Sequence, residues 1–169
     1  MGLIILGYPG VGKSSAADPA EGIIDFESSL FKENGTSRND DWCLTYVRQA
    51  ISLANQGFIP LLSSHKEVRK ALVDYAKERG DNYVVTIAPV RWLRSAWLDR
   101  LEKRYAEDQA SKNYAALVNA QDHFDEDVVS MASEPYFNHI YISDTDKYNL
   151  KQIIRGLKHI FFTYLDFRY

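Results

Sequence analysis

The chain predicts an α/β fold, a three-layer sandwich with a five-stranded parallel sheet between helices and a helical lid insertion. Three observations point there: apolar runs of strand length, helical periodicity in most of the stretches between them, and a composition suited to one packed core. Hydrophobic residues make up 46% and charged residues 25% of the 169 residues, the proportions of an ordinary globular protein of a size that buries a full core. A single domain over 1–169 is therefore expected.

The apolar runs lie at Leu3 to Leu6, Gly22 to Phe26, Phe58 to Leu62, Tyr83 to Ala88 and His139 to Ile142. Unbroken runs of this length are what strands buried on both faces require, because a parallel sheet is covered by helices on each side. Between the second and third runs, "DDWCLTYVRQAISLANQG" opens on an Asp cap and stops at Gly57, with Trp42, Tyr46, Ala50 and Leu53 on one face. After the third, "HKEVRKALVDYAKERG" turns Val68, Leu72, Tyr75 and Ala76 inward and stops at Gly80. The region 90–134 reads as two helices joined near "EDQASKN" with no strand between, and such an excursion is expected to be a lid. The closing "HIFFTYLDFRY" is expected to pack as a last helix on the core, or else to meet another subunit; the oligomeric state, a homodimer included, stays open.

The first run leads directly into "GYPGVGKSS", which matches G-x-x-x-x-G-K-[ST] from Gly7 to Ser14 at every fixed position. This is the phosphate-binding loop. Glycines at Gly7, Gly10 and Gly12 let the backbone, with Val11 between, turn successive N–H groups toward one anion. The following helix points its positive N-terminal end at the same place. Lys13 is expected to reach the β- and γ-phosphates of ATP, and the Ser14 hydroxyl to ligate Mg²⁺. Ser15 either contacts the α-phosphate or serves as a second helix-start serine. Pro19 and Gly22 follow almost at once, so the helix after the loop must be short and the second strand early.

Several function classes are set aside by what the chain lacks. A net charge of −3 gives no support to a general nucleic-acid surface. The single cysteine, Cys43, cannot close an internal disulfide, no Cys/His spacing suits zinc, and no apolar run is long enough for a signal peptide or membrane span. A cytoplasmic protein with no nucleic-acid or membrane partner is the expectation. "SDTDKYNL" does not supply a guanine motif, and "FIPLL" ends in Ser63, Ser64 and His65 instead of the acidic residues of larger ATPases.

The loop at the N-terminus, "IIDFESS" at the end of the second strand and "RLEKR" in the lid together resemble the small P-loop kinases. That group includes nucleoside monophosphate kinases and shikimate kinase, and the resemblance is nearest to the short nucleotide kinases of phages and related elements. By this resemblance Asp25 organises Mg²⁺ or takes the proton of an attacking hydroxyl, and Glu27 holds the acceptor. Arg100 and Arg104, four residues apart and so on one helix face, would close over the migrating phosphoryl group. Trp42, Tyr46 and Arg48 lie on the helix where monophosphate kinases usually bind the acceptor base, and Trp42 or Tyr46 either stacks on that base or packs in the core. His65, Lys66 and Arg69 open the helix after the third strand and are placed for an acceptor phosphate.

The expected activity is thus transfer of the ATP γ-phosphoryl to a nucleoside monophosphate, with Mg²⁺. A kinase of a small hydroxylated metabolite or nucleoside is the alternative, and it differs in one respect: a phosphate acceptor needs no general base, whereas a hydroxyl makes Asp25 one. A nucleotide-binding regulator without turnover is the third reading.

Overall fold

A computed structural model describes residues 2–33, 42–79 and 83–166. The strands are β1 (Leu3–Gly7), β2 (Ile23–Asp25), β3 (Ile59–Ser63), β4 (Tyr83–Pro89) and β5 (Asn138–Ile142). They form one sheet in the order β2-β3-β1-β4-β5, with every pairing parallel. All five predicted strands are present, with small shifts at their ends. The helices are α1 (Lys13–Ala16), α2 (Ser29–Glu33), α3 (Trp42–Asn55), α4 (Lys66–Glu78), α5 (Arg94–Glu107), α6 (Ser111–Ala132) and α7 (Leu150–Asp166). The Asp cap expected ahead of α3, the Gly80 stop and the end of the aromatic tail lie outside the described residues.

The pleat of the strands builds three layers. Leu3 and Ile5 face a core shared with Leu61, Val85 and Ile87, to which α5, α6 and α7 contribute Trp97, Phe124 and Ile154. Ile4 and Leu6, one residue out of phase, face a second core with Leu62 and Val84, filled by Tyr46, Ala50, Val68 and Leu72 of α3 and α4. The inward face of α3 is Cys43, Tyr46, Val47, Ala50, Ile51 and Ala54. It is rotated from the expected stripe, and Trp42 and Leu53 fall to its margin.

The first helix is a single turn, as the early proline required. Asp18 caps a 3₁₀ turn over Pro19–Glu21 by accepting a hydrogen bond from the Ala20 N–H (3.1 Å), and Gly22 then takes φ 77°, which suits glycine. The sheet face that this short helix leaves is covered by α7. Leu150, Ile154 and Phe161 enter the same core as Ala16 and Ile23. Lys151 pairs with Asp18 (2.7 Å) and Glu21 (3.5 Å), Arg155 pairs with Glu21, and the Lys158 ammonium donates to the Glu21 carbonyl (2.8 Å). Arg155 leads in holding the Glu21 carboxyl down at about 2.

The insertion is the helix pair α5 and α6, as expected, and both helices pack on the sheet. Trp97 and Leu101 of α5, with Leu117, Ala120, Phe124, Val128 and Met131 of α6, are buried in the first core. Apolar side chains at this spacing along both helices make them a layer of the sandwich.

Candidate active site

Register brings the site together. Gly7, the last residue of β1, lies beside Ser63 of β3 and Ile87 of β4, and Asp25 ends β2 beside Leu61. The carboxyl ends of the strands therefore open into one cleft of ≈ 1170 Å³, lined by the loop, by α2, by the start of α4 and by the cationic faces of α5 and α6. In open parallel sheets this is the edge at which ligands bind.

Gly10 and Gly12 adopt φ 85° and φ 92°, left-handed values that other residues rarely take. A Cβ on Gly10 would also stand 3.0 Å from Leu101 Cδ2. Lys13 reaches back over the loop and donates to the Gly7 carbonyl at 3.0 Å. Burial lowers its pKa to about 8; Asp25 and Glu27 act against that, while Arg104 and Lys112 add to it. Ser14 and Ser15 are exposed on the cleft side of α1.

Among the described residues four buried side-chain oxygens have no protein partner, those of Tyr8, Asp25, Ser63 and Asn113, and two of them, Asp25 Oδ1 and Ser63 Oγ, belong to residues that line the cleft. Buried polar atoms are ordinarily hydrogen-bonded, so an unpartnered pair at a cleft is a place for something the chain does not itself supply. Among the described residues no cluster of three or more His, Cys, Asp or Glu could hold a metal alone. Mg²⁺ is ordinarily held by one or two protein oxygens plus substrate phosphates, and Ser14 and Asp25, both in the cleft lining, are the residues that would supply such oxygens.

Glu27 lines the cleft and pairs with Lys112 of α6 at 3.4 Å. His65 and Lys66 line it as well. Lys32 of α2 donates to His65 Nε2 (3.1 Å), which requires a neutral imidazole, and burial followed by the Lys32 charge keeps the His65 pKa below its usual value. Lys32 and Lys112 add positive charge to the cleft, and neither belongs to a recognisable sequence pattern.

Four further candidates are placed as follows. Tyr46 is fully buried, stacked on Phe26 at 5.0 Å, donating to the Phe26 carbonyl (2.5 Å) and accepting from the Ser63 N–H (3.1 Å). It braces the ends of β2 and β3 and has no face for a base. Trp42 packs its ring under Lys32 (4.6 Å) and against Tyr46, outside the cleft lining. Arg48 is exposed on α3 and also outside the lining. Arg69 edges the cleft, but its guanidinium is committed: Nε to Glu134 (2.7 Å), one Nη to the Ser64 carbonyl (2.7 Å), the other to Ser130 Oγ (2.5 Å). With side chains only 3% and 18% exposed, this pair is structural. Glu134→Ala would leave a buried guanidinium short of its counter-charge, and the expected cost is about 3 kcal/mol, measured by urea unfolding.

Arg100 and Arg104 both line the cleft, and Arg100 also donates from Nε to the Gly10 carbonyl at 2.9 Å. The two arginines share a face, as their spacing requires, but Arg100 is fastened to the loop. Trp97 Nε1 donates to the Pro9 carbonyl (2.8 Å) and the Tyr148 hydroxyl to the Val11 carbonyl (3.2 Å). Neither aromatic was marked in the sequence as belonging to the site.

Among the described residues no helix is long and apolar enough to cross a membrane. No family model and no curated protein matches the chain. Among solved structures, a gluconokinase from Sinorhizobium meliloti is similar with a TM-score of 0.54 and 15% identity, over 99% of this chain and 96% of that one. An uncharacterized protein from Eubacterium ventriosum has a TM-score of 0.48 and 13% identity, over 97% of each chain. What the first similarity establishes is a shared fold: the chain has the α/β architecture of that gluconokinase.

Proposed function

We propose that the protein is an ATP- and Mg²⁺-dependent phosphotransferase whose acceptor is a small hydroxylated metabolite. The observation that carries this reading is Asp25, a carboxylate with one buried, unpartnered oxygen at the end of β2, sharing the cleft with Lys13 and Ser14. In the reaction the acceptor oxygen bonds to the γ-phosphorus, its proton passes to Asp25, and the bond to the departing ADP oxygen breaks. Lys13 and Arg104 neutralise the charge that spreads over the transferred group. Ser14 and Asp25 would hold the Mg²⁺, which supplies further charge neutralisation when bound.

The acceptor side also favours hydroxyls. Its α6 wall offers Asn119 and Asp127, joined by a 2.7 Å hydrogen bond, and no arginine. The guanidinium of Arg69 is spoken for, and no aromatic of α3 faces the cleft. A nucleoside monophosphate acceptor, the reading the sequence favoured, is supported by a different feature: Lys32, Lys66 and Lys112 all line the cleft.

The test is a coupled ADP-release assay with ATP and Mg²⁺. The panel holds gluconate, to which the structural neighbour's name points, other sugar acids and polyols, nucleosides, and ribo- and deoxynucleoside monophosphates. Turnover with a hydroxylated acceptor is expected. Turnover with monophosphates alone would transfer the assignment to the second reading. ATP binding with no turnover across the panel would leave a nucleotide-binding regulator.

A further inference from the structure

Three side-chain donors around the phosphate loop form one device. Pro9, Gly10 and Val11 are consecutive, and their carbonyls accept from Trp97, Arg100 and Tyr148 at 2.8, 2.9 and 3.2 Å. The donors support one another. The rings of Trp97 and Tyr148 stack at 6.4 Å and 21°, and the Arg100 guanidinium lies 5.5 Å from each ring centroid. Trp97 is fully buried, and neither it nor Tyr148 lines the cleft, whereas Gly10 and Gly12 do. Trp97 and Tyr148 therefore approach the loop from behind, while Arg100 reaches the Gly10 carbonyl from the edge of the cleft, which it also lines.

A trans peptide is planar, and its C=O and the next residue's N–H point in opposite directions. Fixing the Pro9 carbonyl toward Trp97 turns the Gly10 N–H away from Trp97, toward the cleft. Fixing the Val11 carbonyl toward Tyr148 does the same for the Gly12 N–H. Glycine makes these orientations accessible but also leaves them loosely determined, because it has more backbone freedom to lose than any other residue. A side chain that holds the carbonyl removes that freedom before any ligand arrives, and preorganisation of this kind lowers the cost of binding.

We propose that Tyr148 is a positioning residue of the phosphate cradle, acting with Trp97 to hold the Val11 and Pro9 carbonyls outward so that the Gly12 and Gly10 N–H groups meet the phosphates. Burial raises the Tyr148 pKa above its usual value, so the hydroxyl remains a donor throughout the neutral range. The inference rests on the reading of the loop as a phosphate site, and its test separates the two.

Tyr148→Phe keeps the ring against Trp97 and Arg100 and deletes only the hydroxyl. Calorimetric titration with Mg²⁺-pyrophosphate, alongside urea unfolding, would compare the wild type, Lys13→Met and Tyr148→Phe. Expected is binding by the wild type, loss in Lys13→Met, and about fivefold weaker binding in Tyr148→Phe, the scale of one net hydrogen bond, with the unfolding midpoint little changed. Equal affinity in Tyr148→Phe and the wild type would overturn the positioning role and leave the cradle standing. A wild type that does not bind pyrophosphate would remove the cradle and the positioning role together. Hydrogen exchange of the free protein gives a second readout: faster exchange confined to residues 10–13 in Tyr148→Phe is expected, and unchanged exchange there also overturns the proposal.

Discussion

Lys13→Met is expected to lower turnover about a thousandfold, the scale of removing a principal charge from a phosphoryl-transfer site, and to leave the fold intact. The lysine is placed for that role by the chain itself: α1 begins at Lys13, immediately after the left-handed Gly12, so the side chain springs from the base of the cradle. Its ammonium sits in a cleft that penalises charge, and its pKa is lowered to about 8, chiefly by burial. A ligand phosphate reverses that penalty. ATP binding should accordingly take up a proton as the pH passes 8, and ATP affinity should decline above pH 8 by up to about tenfold per pH unit. Calorimetry in two buffers of different ionisation enthalpy reads the proton uptake, and its absence would separate Lys13 from the phosphates.

The same lysine sets a stability signature of opposite sign. Between about 8, where folded Lys13 titrates, and the ordinary lysine range near 10.5, the unfolded chain binds more protons than the folded one. Stability of the ligand-free protein therefore rises with pH across that window, relative to Lys13→Met, which lacks the titrating group. Urea unfolding of the two proteins at pH 7.5 and pH 10 measures the difference. A parallel pH dependence in both would mean that the cleft does not penalise the charge.

What was legible in the sequence follows from range. The five strands are readable because a strand buried on both faces has no polar side to interrupt it, and the loop because its spacing is dictated by one anion. The short α1 is readable because proline acts locally. Arg69 is not: at the start of α4 it has the look of a phosphate ligand, and only Glu134, 65 residues on, reveals it as a structural cation. Tyr148 is likewise 137 residues from the Val11 carbonyl to which it donates. Helices α5 and α6 were harder to read: the absence of a strand between them suggested an excursion, while the recurring apolar positions from Leu117 to Met131 also marked a helix with a buried face. Aromatic residues on α3 carried the same ambiguity, since stacking on a base and packing in a core call for the same side chains, and burial decides between them.

Asp25→Asn is the second large effect, and its size depends on the acceptor. Asparagine preserves the volume at the end of β2, so the sheet edge should hold, but it can neither accept the acceptor's proton nor offer a carboxylate to a cation. With a hydroxylated acceptor, kcat is expected to drop about a thousandfold, within the range for loss of general base catalysis. With a monophosphate acceptor, whose attacking oxygen carries no proton to remove, the loss should stay within about tenfold. Ion holding and proton transfer separate in a Mg²⁺ titration. If Asp25 serves chiefly to hold the ion, the variant needs more Mg²⁺ and recovers at saturation. If it takes the proton, the deficit persists at saturating Mg²⁺. The unpartnered Oδ1 beside Lys13 and the α6 wall without an arginine lead us to expect the persistent deficit. Full recovery with Mg²⁺ would return the acceptor to the phosphate class and make Lys32, Lys66 and Lys112 the residues to replace next.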